Sequence, residues 1–150
     1  MSIRAGIVGY GNLGRGAELA LSGAPDMELT AVFTRREPEA LSIQTPGVPV
    51  YAVSEAKRFQ GDIDVMILCG GSAKDLPEQG PELAALFNTV DSFDAHTDIP
   101  AYLTKMDKAA VNTTAIISSG WDPGLFSMMR ILSGAVLPAG NDYTFWGYGV

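Results

Sequence analysis

A glycine-rich turn near the amino terminus constrains this chain more than any other feature: residues 9–14 read Gly-Tyr-Gly-Asn-Leu-Gly. An apolar run from Ile3 to Val8 precedes the turn, and an amphipathic stretch that ends near Leu21 follows it. This order predicts a buried strand, a tight turn and a helix. There the first glycine turns the chain, the second lets the backbone approach a pyrophosphate, and the third lets the helix pack on the sheet. The N–H groups near Asn12 would then bind phosphate without a basic side chain, although a turn that binds nothing is the alternative.

Strand-like and helix-like segments alternate along the whole chain. Predicted strands cover residues 3–8, 29–33, 63–68, 89–91, 114–118 and 143–146, with a short one at 48–51 in an otherwise irregular connection. Predicted helical segments begin near residues 12, 54, 76, 98 and 125, and the last ends near residue 137. This alternation predicts an α/β fold, a doubly wound parallel sheet of the Rossmann type. With 150 residues we expect one domain, residues 1–150.

Composition excludes several classes of partner and site. The net charge of −7 disfavours nucleic acid and anionic membranes, which both attract basic proteins. No apolar run has the length of a membrane span and no leader pattern is present, so we expect a cytoplasmic protein without a membrane partner. The single cysteine, Cys69, and the single histidine, His96, exclude an internal disulfide and a metal site built from cysteines or histidines.

The residues after the second strand predict the type of dinucleotide. NAD sites place Asp or Glu about twenty residues after the glycine turn, where the side chain binds the ribose 2′-hydroxyl. This chain has Thr34, Arg35 and Arg36 there instead. A carboxylate would repel a 2′-phosphate, whereas a hydroxyl and two guanidinium groups can bind it. The sequence therefore predicts NADP as the cofactor, the alternative being two solvated arginines in a loop.

Three later loops follow predicted strands, at residues 69–72, 92–96 and 119–124. In a parallel sheet the ligand lies outside the carboxyl ends of the strands, so we expect these loops at the site. Two of them carry carboxylates, Asp94 and Asp122, near the expected nicotinamide end.

Each polar or reactive side chain in these loops also has a structural interpretation. Asp122 precedes Pro123 and a helix and could cap it, and Asp94 could be an ordinary loop aspartate. Cys69 reads best as a buried small residue, because no His or Lys in its turn would activate the thiol. A loop histidine such as His96 usually forms only local hydrogen bonds, and loop tryptophans belong either to the core or to a ligand wall.

Seven motifs together carry a family resemblance. They are Gly-Tyr-Gly-Asn-Leu-Gly at 9–14, Thr34-Arg35-Arg36, Pro77-Glu78-Gln79, Val90-Asp91 through Asp94, Asp98-Ile99-Pro100, Ser119 through Gly124, and Thr144-Phe145-Trp146-Gly147. With these motifs the chain resembles the meso-diaminopimelate D-dehydrogenase family along nearly its whole length. The glycine turn is generic, whereas the Trp-Asp-Pro-Gly loop and the Phe-Trp-Gly segment are far more specific.

The resemblance implies an NADP-dependent oxidoreductase. Such an enzyme oxidatively deaminates meso-2,6-diaminopimelate at its D-centre, giving L-2-amino-6-oxopimelate and ammonia, and the reverse reaction serves lysine biosynthesis. The resemblance also implies a homodimer and a second, α+β substrate-binding domain. The family enzyme is about twice as long as this chain, so we expect that domain, with the distal substrate-binding residues, beyond Val150 and expect the piece alone to be inactive.

The resemblance and the glycine turn together assign the site residues. Asp94 and Asp122 would act on the reacting amino group as catalytic residues. The predicted substrate contacts are Asp94, Trp121, Asp122, Gly124 and Trp146. The predicted cofactor contacts are Gly9, Tyr10, Gly11, Asn12, Leu13, Gly14, Thr34, Arg35, Arg36, Cys69, Gly70, Gly71, Ser72, Ser92, Phe93, Asp94, Trp121, Asp122 and Pro123. No metal site is expected.

Two other functions are consistent with the same residues. One is a different NADP-linked reductase of this architecture, acting on another amino acid or a sugar. The other is a non-catalytic nucleotide-sensing module, in which the loop aspartates would only cap helices. Substrate profiling separates the first from the family reaction, and cofactor binding without turnover would indicate the second.

Overall fold

A computed structural model describes residues 2–139. Within them, six strands form one wholly parallel sheet. The strands are β1 (Ile3–Val8), β2 (Met27–Thr34), β3 (Val50–Ala52), β4 (Val65–Leu68), β5 (Asn88–Asp91) and β6 (Ala115–Ile116). They lie in the order β3-β2-β1-β4-β5-β6. This arrangement confirms the predicted α/β fold and its parallel sheet. The strand predicted at 143–146 lies outside the described residues.

Residues 2–139 contain four α-helices: α1 (Asn12–Ser22), α2 (Leu76–Ala84), α3 (Ile99–Ala109) and α4 (Phe126–Val136), the last of which follows β6. Short 3₁₀ segments cover Pro38–Ala40, Val53–Phe59 and His96–Asp98. Each predicted helical segment starts within one residue of the observed one. The segment at 53–59 is a 3₁₀ helix and not an α-helix.

Apolar side chains cover both faces of the sheet, as a doubly wound fold requires. Neighbouring residues of a strand point to opposite faces, so Ile7 packs on the side of α1 and Val8 on the side of α2 and α3. The α2–α3 side holds the larger cluster, which includes Phe33, Met66 and Met106. Helix α4 differs from the others because none of its residues is buried and its main contacts are with the turn Trp121–Leu125.

The strand order fixes where a ligand can bind. The chain leaves β1 toward β2 on one side and returns through β4 on the other, so the topological switch point lies between β1 and β4. Parallel strands bring all their carboxyl ends to one edge, and the crevice at the switch point of that edge is the usual ligand site. Within residues 2–139 no helix combines the length and the hydropathy needed to cross a membrane.

Candidate cofactor and active site

The glycine turn after β1 has the geometry that the motif predicts. Gly9 has φ +89°, and a Cβ there would lie 3.1 Å from the Cys69 carbonyl group. A Cβ on Gly14 would lie 2.3 Å from the Gly9 carbonyl oxygen, so α1 can only approach the turn through a glycine. A Cβ on Gly11 would meet no atom within 4 Å. Two glycines therefore serve the packing of the turn, and the third leaves its outer face open.

Helix α1 presents its amino-terminal N–H groups at this turn. The helix begins at Asn12 after Gly11, no side chain caps it, and its first turn carries no acidic residue. The first N–H groups of a helix have no partner within the helix and carry its positive dipole end. The open face at Gly11 and the uncapped helix therefore fit a pyrophosphate group, as the sequence predicts.

A cleft of about 260 Å³ opens beside the turn. Its lining includes eight residues predicted to contact the cofactor: Gly9, Tyr10, Gly11, Thr34, Arg35, Arg36, Cys69 and Gly70. The cleft also contains Val53, Asp75 and Gln79, which the sequence analysis did not assign. Gln79 belongs to one of the family-like motifs, whereas nothing in the local pattern distinguished Val53 or Asp75.

Both arginines of the motif after β2 line this cleft and contact other protein groups. Arg36 donates from Nη2 to the Tyr10 carbonyl oxygen at 2.5 Å, and its N–H donates to Thr34 Oγ1 at 3.1 Å. Arg35 Nη1 lies 2.5 Å from Oδ1 of the largely buried Asp75, whose Oδ2 accepts from the Gly71 N–H at 3.0 Å. The Arg35–Asp75 ion pair thus joins the loop after β2 to the loop after β4.

The Tyr10 side chain is buried beneath the turn. Its hydroxyl donates to the Glu18 carboxylate, and the Arg15 guanidinium lies 5.9 Å from its ring centroid. Glu18 is only 2% exposed and also accepts from the N–H groups of Gln44 and Thr45, at 2.9 and 2.6 Å. Tyr10 therefore lines the cleft with its backbone. Its side chain, through Glu18, links the glycine turn to the backbone of residues 44 and 45.

Glu18 makes the stability of this region depend on pH. Burial alone would raise the pKa of Glu18, but hydrogen bonds from Tyr10, Thr45 and Gln44 outweigh it and lower the pKa below its usual value. A carboxyl group with a lowered pKa in the folded state stabilises the fold above its unfolded pKa of about 4.3, and this contribution is lost as pH falls further.

We therefore expect Glu18→Gln to be less stable than wild type by about 1–2 kcal/mol at pH 7, since hydrogen bonds to a charged acceptor are lost. The difference should shrink as pH falls below about 4.3. Urea unfolding between pH 3 and pH 7 measures it, with the exposed Glu39→Gln as control. A difference that stays constant over this range would contradict the assigned role of the Glu18 charge.

Asp122 lies in the turn after β6 and pairs with a cation. Arg130 Nη1 and Nη2 donate to its two carboxylate oxygens at 3.1 and 3.3 Å, and His96 Nε2 lies 3.9 Å from Oδ1. Arg130 lowers the pKa of Asp122, so the carboxylate is ionised at neutral pH. The capping interpretation is wrong, because α4 begins at Phe126, its capping position is Leu125, and no side chain forms a capping hydrogen bond there. Its neighbour Trp121 is 68% exposed.

The loops after β4, β5 and β6 meet at one edge of the sheet. The N–H of Asp94 donates to Ser72 Oγ at 3.0 Å, which joins the loops after β4 and β5. The His96–Asp122 contact joins the loops after β5 and β6. The structure thus brings the loops of both candidate carboxylates together, with the Asp94 side chain exposed. Gly124, at φ +129°, lies in the same turn as Asp122, and Trp146 lies outside the described residues.

The other predicted cofactor contacts differ in burial and in the cleft that they line. Burial raises the pKa of the Cys69 thiol to about 12, so the thiol stays protonated at neutral pH and is a poor nucleophile. Phe93 is buried and stacks on Tyr102, with ring centroids 4.1 Å apart. Leu13 and Ser92 line a second cleft of about 260 Å³ between α1 and strands β4 and β5. The cofactor and substrate roles of these residues stay predictions.

Comparison with known proteins finds enzymes that are similar to nearly the whole of this chain. The chain is 60% identical over 151 residues to the meso-diaminopimelate D-dehydrogenase of Lysinibacillus sphaericus, covering 99% of this chain and 46% of that protein. It is 44% identical, over the same share of each chain, to the enzyme of that name from Corynebacterium glutamicum. By sequence, this chain matches the amino-terminal part of meso-diaminopimelate D-dehydrogenase. It spans about half the length of these curated relatives.

Solved structures agree with this match. The diaminopimelate dehydrogenase of C. glutamicum in complex with diaminopimelate has a TM-score of 0.84 at 44% identity, over 97% of this chain and 45% of that one. An engineered D-amino acid dehydrogenase bound to NADP+ has a TM-score of 0.80 at 44% identity, over 91% and 42% of the two chains. A Rex-family repressor, at 16% identity and a TM-score of 0.62, shares the fold alone.

A family model also matches the last part of the chain. The model, described as the diaminopimelic acid dehydrogenase C-terminal domain, covers residues 120–150. This match begins four residues after the end of β6 and includes the Asp122 turn and α4. The turn that carries the candidate catalytic residue Asp122 therefore lies within the segment that this model matches.

Proposed function

We propose that this chain is the NADP-binding part of an enzyme that oxidatively deaminates meso-2,6-diaminopimelate at its D-centre. The products would be L-2-amino-6-oxopimelate and ammonia, and the reaction would serve lysine biosynthesis. The observation that carries the proposal is that the glycine turn, Arg35 and Arg36 line one and the same cleft. They do so in a chain that is 60% identical to a meso-diaminopimelate D-dehydrogenase. A cytoplasmic homodimer with a second, α+β domain is part of the proposal, as is the extent of the NADP-binding domain, residues 1–150.

The residues of the cleft suit the two phosphate ends of NADP. The open face at Gly11 and the uncapped start of α1 would hold the pyrophosphate. Thr34, Arg35 and Arg36 would hold the ribose 2′-phosphate through charge-assisted hydrogen bonds. When bound, NADP supplies the hydride acceptor for the oxidation. Because Arg35 is paired with Asp75 and Arg36 with the Tyr10 carbonyl, both guanidinium groups are already held at the rim of the cleft.

The two carboxylates at the edge of the sheet would act on the substrate. Asp122 is ionised at neutral pH and can hold the ammonium group of the substrate. Either Asp122 or Asp94, from the adjoining loop, can then accept a proton from that nitrogen so that its lone pair assists departure of the hydride. Trp121, which is largely exposed, would form a wall of the substrate pocket.

Turnover assays on the full-length protein test the proposal. With NADP, we expect NADPH formation from meso-diaminopimelate, and little from the L,L isomer because it has no D-centre. Turnover of a different amino acid or a sugar, with none from meso-diaminopimelate, would indicate a different NADP-linked reductase of this architecture. NADPH binding without turnover of any of these substrates would indicate a nucleotide-sensing module.

The arginine motif gives a direct prediction for the cofactor. Arg35→Ala and Arg36→Ala should each weaken NADPH binding by about 10- to 100-fold, because each removes charge-assisted hydrogen bonds of about 1.5–3 kcal/mol. NADH binding should change less than about threefold, since NADH has no 2′-phosphate for them to contact. Calorimetric titration measures both affinities, with the exposed Arg58→Ala, which is not among the residues that line the cleft, as control. Equal weakening of NADPH and NADH binding would contradict the assignment.

A further inference from the structure

A buried aspartate at the end of β5 joins the two loops that carry the candidate catalytic residues. Asp91 is 4% exposed and forms no ion pair within residues 2–139. Its Oδ1 accepts from the N–H of Phe93 at 3.0 Å and from the N–H of Ser118 at 2.9 Å. Its Oδ2 accepts from the Tyr102 hydroxyl at 2.7 Å. Three donors therefore compensate the buried charge.

These hydrogen bonds continue the sheet where its ladder has ended. Strand β6 contains only Ala115 and Ile116, so pairing with β5 stops there. Beyond that point, Asp91 binds the N–H of Ser118 through its side chain and the N–H of Ser119 through its carbonyl oxygen, at 2.8 Å. Ser118 has φ +56°, a left-handed conformation that costs a non-glycine residue free energy and needs such support. The direction in which the chain enters the Asp122 turn thus depends on Asp91.

The same carboxylate also orients the loop of Asp94. Asp91 accepts a hydrogen bond from the N–H of Phe93, the residue directly before Asp94. The Phe93 ring stacks on Tyr102 of α3, at a centroid distance of 4.1 Å and an interplanar angle of 16°, and Tyr102 in turn donates to Asp91. Burial and the adjacent carboxylate raise the pKa of Tyr102, so the hydroxyl remains a donor. Asp91, Phe93 and Tyr102 thus form one closed unit beneath the edge of the sheet.

We propose that Asp91 is a positioning residue for the deamination, holding the loops of Asp94 and Asp122 in a fixed relation across the reacting amino group. This proposal rests on the function proposed above. The Asp91 carboxylate is buried, and its three hydrogen bonds are all to protein groups. Misplacement of catalytic groups by about 1 Å can cost about 100-fold in rate, which makes such a residue important for turnover.

The test compares Asp91 variants in the full-length protein. Asp91→Ala removes the acceptors of three donors and should lower kcat by about 100-fold while the Kd for NADPH changes less than about threefold. Asp91→Asn keeps one acceptor oxygen for Phe93 and Ser118 and should recover kcat to within about tenfold of wild type. The exposed Asp107→Ala, on α3, is the matched control and should leave kcat unchanged.

Amide hydrogen exchange gives a readout that is independent of turnover. In Asp91→Ala, exchange at Phe93, Ser118 and Ser119 should accelerate, while exchange in β1 stays as in wild type. If wild type does not turn over meso-diaminopimelate, the proposed function fails, and the exchange pattern still decides whether Asp91 orders the two loops. If Asp91→Ala does not fold, Tyr102→Phe, which removes one donor, replaces it and should lower kcat by about three- to tenfold, a loss near 1 kcal/mol.

Two results would overturn the proposal. One is a kcat in folded Asp91→Ala, or in Tyr102→Phe, that lies within twofold of wild type with unchanged exchange at Ser118. The other is a parallel loss of kcat, NADPH affinity and thermal stability in both Asp91→Ala and Asp91→Asn, which would indicate a merely structural role. Recovery of kcat by Asp91→Asn, at unchanged NADPH affinity, would support positioning.

Discussion

Asp122→Asn is expected to lower kcat for meso-diaminopimelate by about 10²–10⁴-fold, the range typical of a lost acid–base group. The amide carries no charge to hold an ammonium group and cannot accept its proton. Arg130 keeps the pKa of the wild-type carboxylate below its usual value, so the deficit should be nearly constant from pH 6 to pH 9. Steady-state assays with NADP on the full-length protein measure it.

Two further variants make this result specific. Asp94→Asn, in the adjoining loop, should also reduce kcat, whereas the exposed Asp62→Asn should not, because Asp62 lies at the opposite, amino-terminal end of β4. The Kd for NADPH should stay within about threefold of wild type in all three variants, since none removes a phosphate contact. Wild-type rates in both Asp94→Asn and Asp122→Asn would contradict the catalytic roles.

Gly14→Ala is the second change with a large expected effect. The added Cβ would lie 2.3 Å from the Gly9 carbonyl oxygen, a backbone atom that cannot rotate aside as a side chain could. Helix α1 must then move away from the turn, at an overpacking cost of about 1–3 kcal/mol in stability. The shift also moves the helix N–H groups, and loss of one or two hydrogen bonds to phosphate corresponds to about 10- to 1,000-fold in NADPH affinity.

A glycine in the same helix provides the control. A Cβ on Gly16 would meet no atom within 4 Å, so Gly16→Ala should bind NADPH like wild type. It should also be more stable by about 0.5–1 kcal/mol, because alanine is the better helix former. Thermal unfolding and calorimetric titration of both variants give the comparison. Wild-type affinity and stability in Gly14→Ala would contradict the close approach of α1 to the turn.

Local patterns explain which parts of the fold could be predicted. The glycine turn, the start of α1 at Asn12 and the alternation of strands and helices depend on residues that are neighbours in sequence. Helix α3 begins at Ile99, one residue after its predicted start, and Asp98 occupies the capping position, although its side chain makes no capping hydrogen bond. The strand predicted at 114–118 is shorter than expected, because Ser118 leaves the ladder to bind Asp91.

The contacts that were missed join residues that lie far apart in the chain. Glu18 accepts from Thr45, and Arg35 pairs with Asp75; in both cases the sequence shows only an isolated charge. Arg130, the partner of Asp122, lies eight residues away on α4, and no spacing rule indicates that pair. The site could therefore be predicted as a set of loops at the sheet edge, whereas the partners that fix the charges needed the three-dimensional structure.

Side-by-side calorimetric titration with NADPH and NADH, in low-phosphate buffer, tests the central claim most directly. The account predicts that NADPH binds more tightly than NADH by at least about tenfold, since the two arginines at the cleft would bind the 2′-phosphate, which NADH lacks. Buffer phosphate must be low because it would compete for the same anion site. Equal affinities, or tighter binding of NADH, would contradict the assignment of the cleft to NADP.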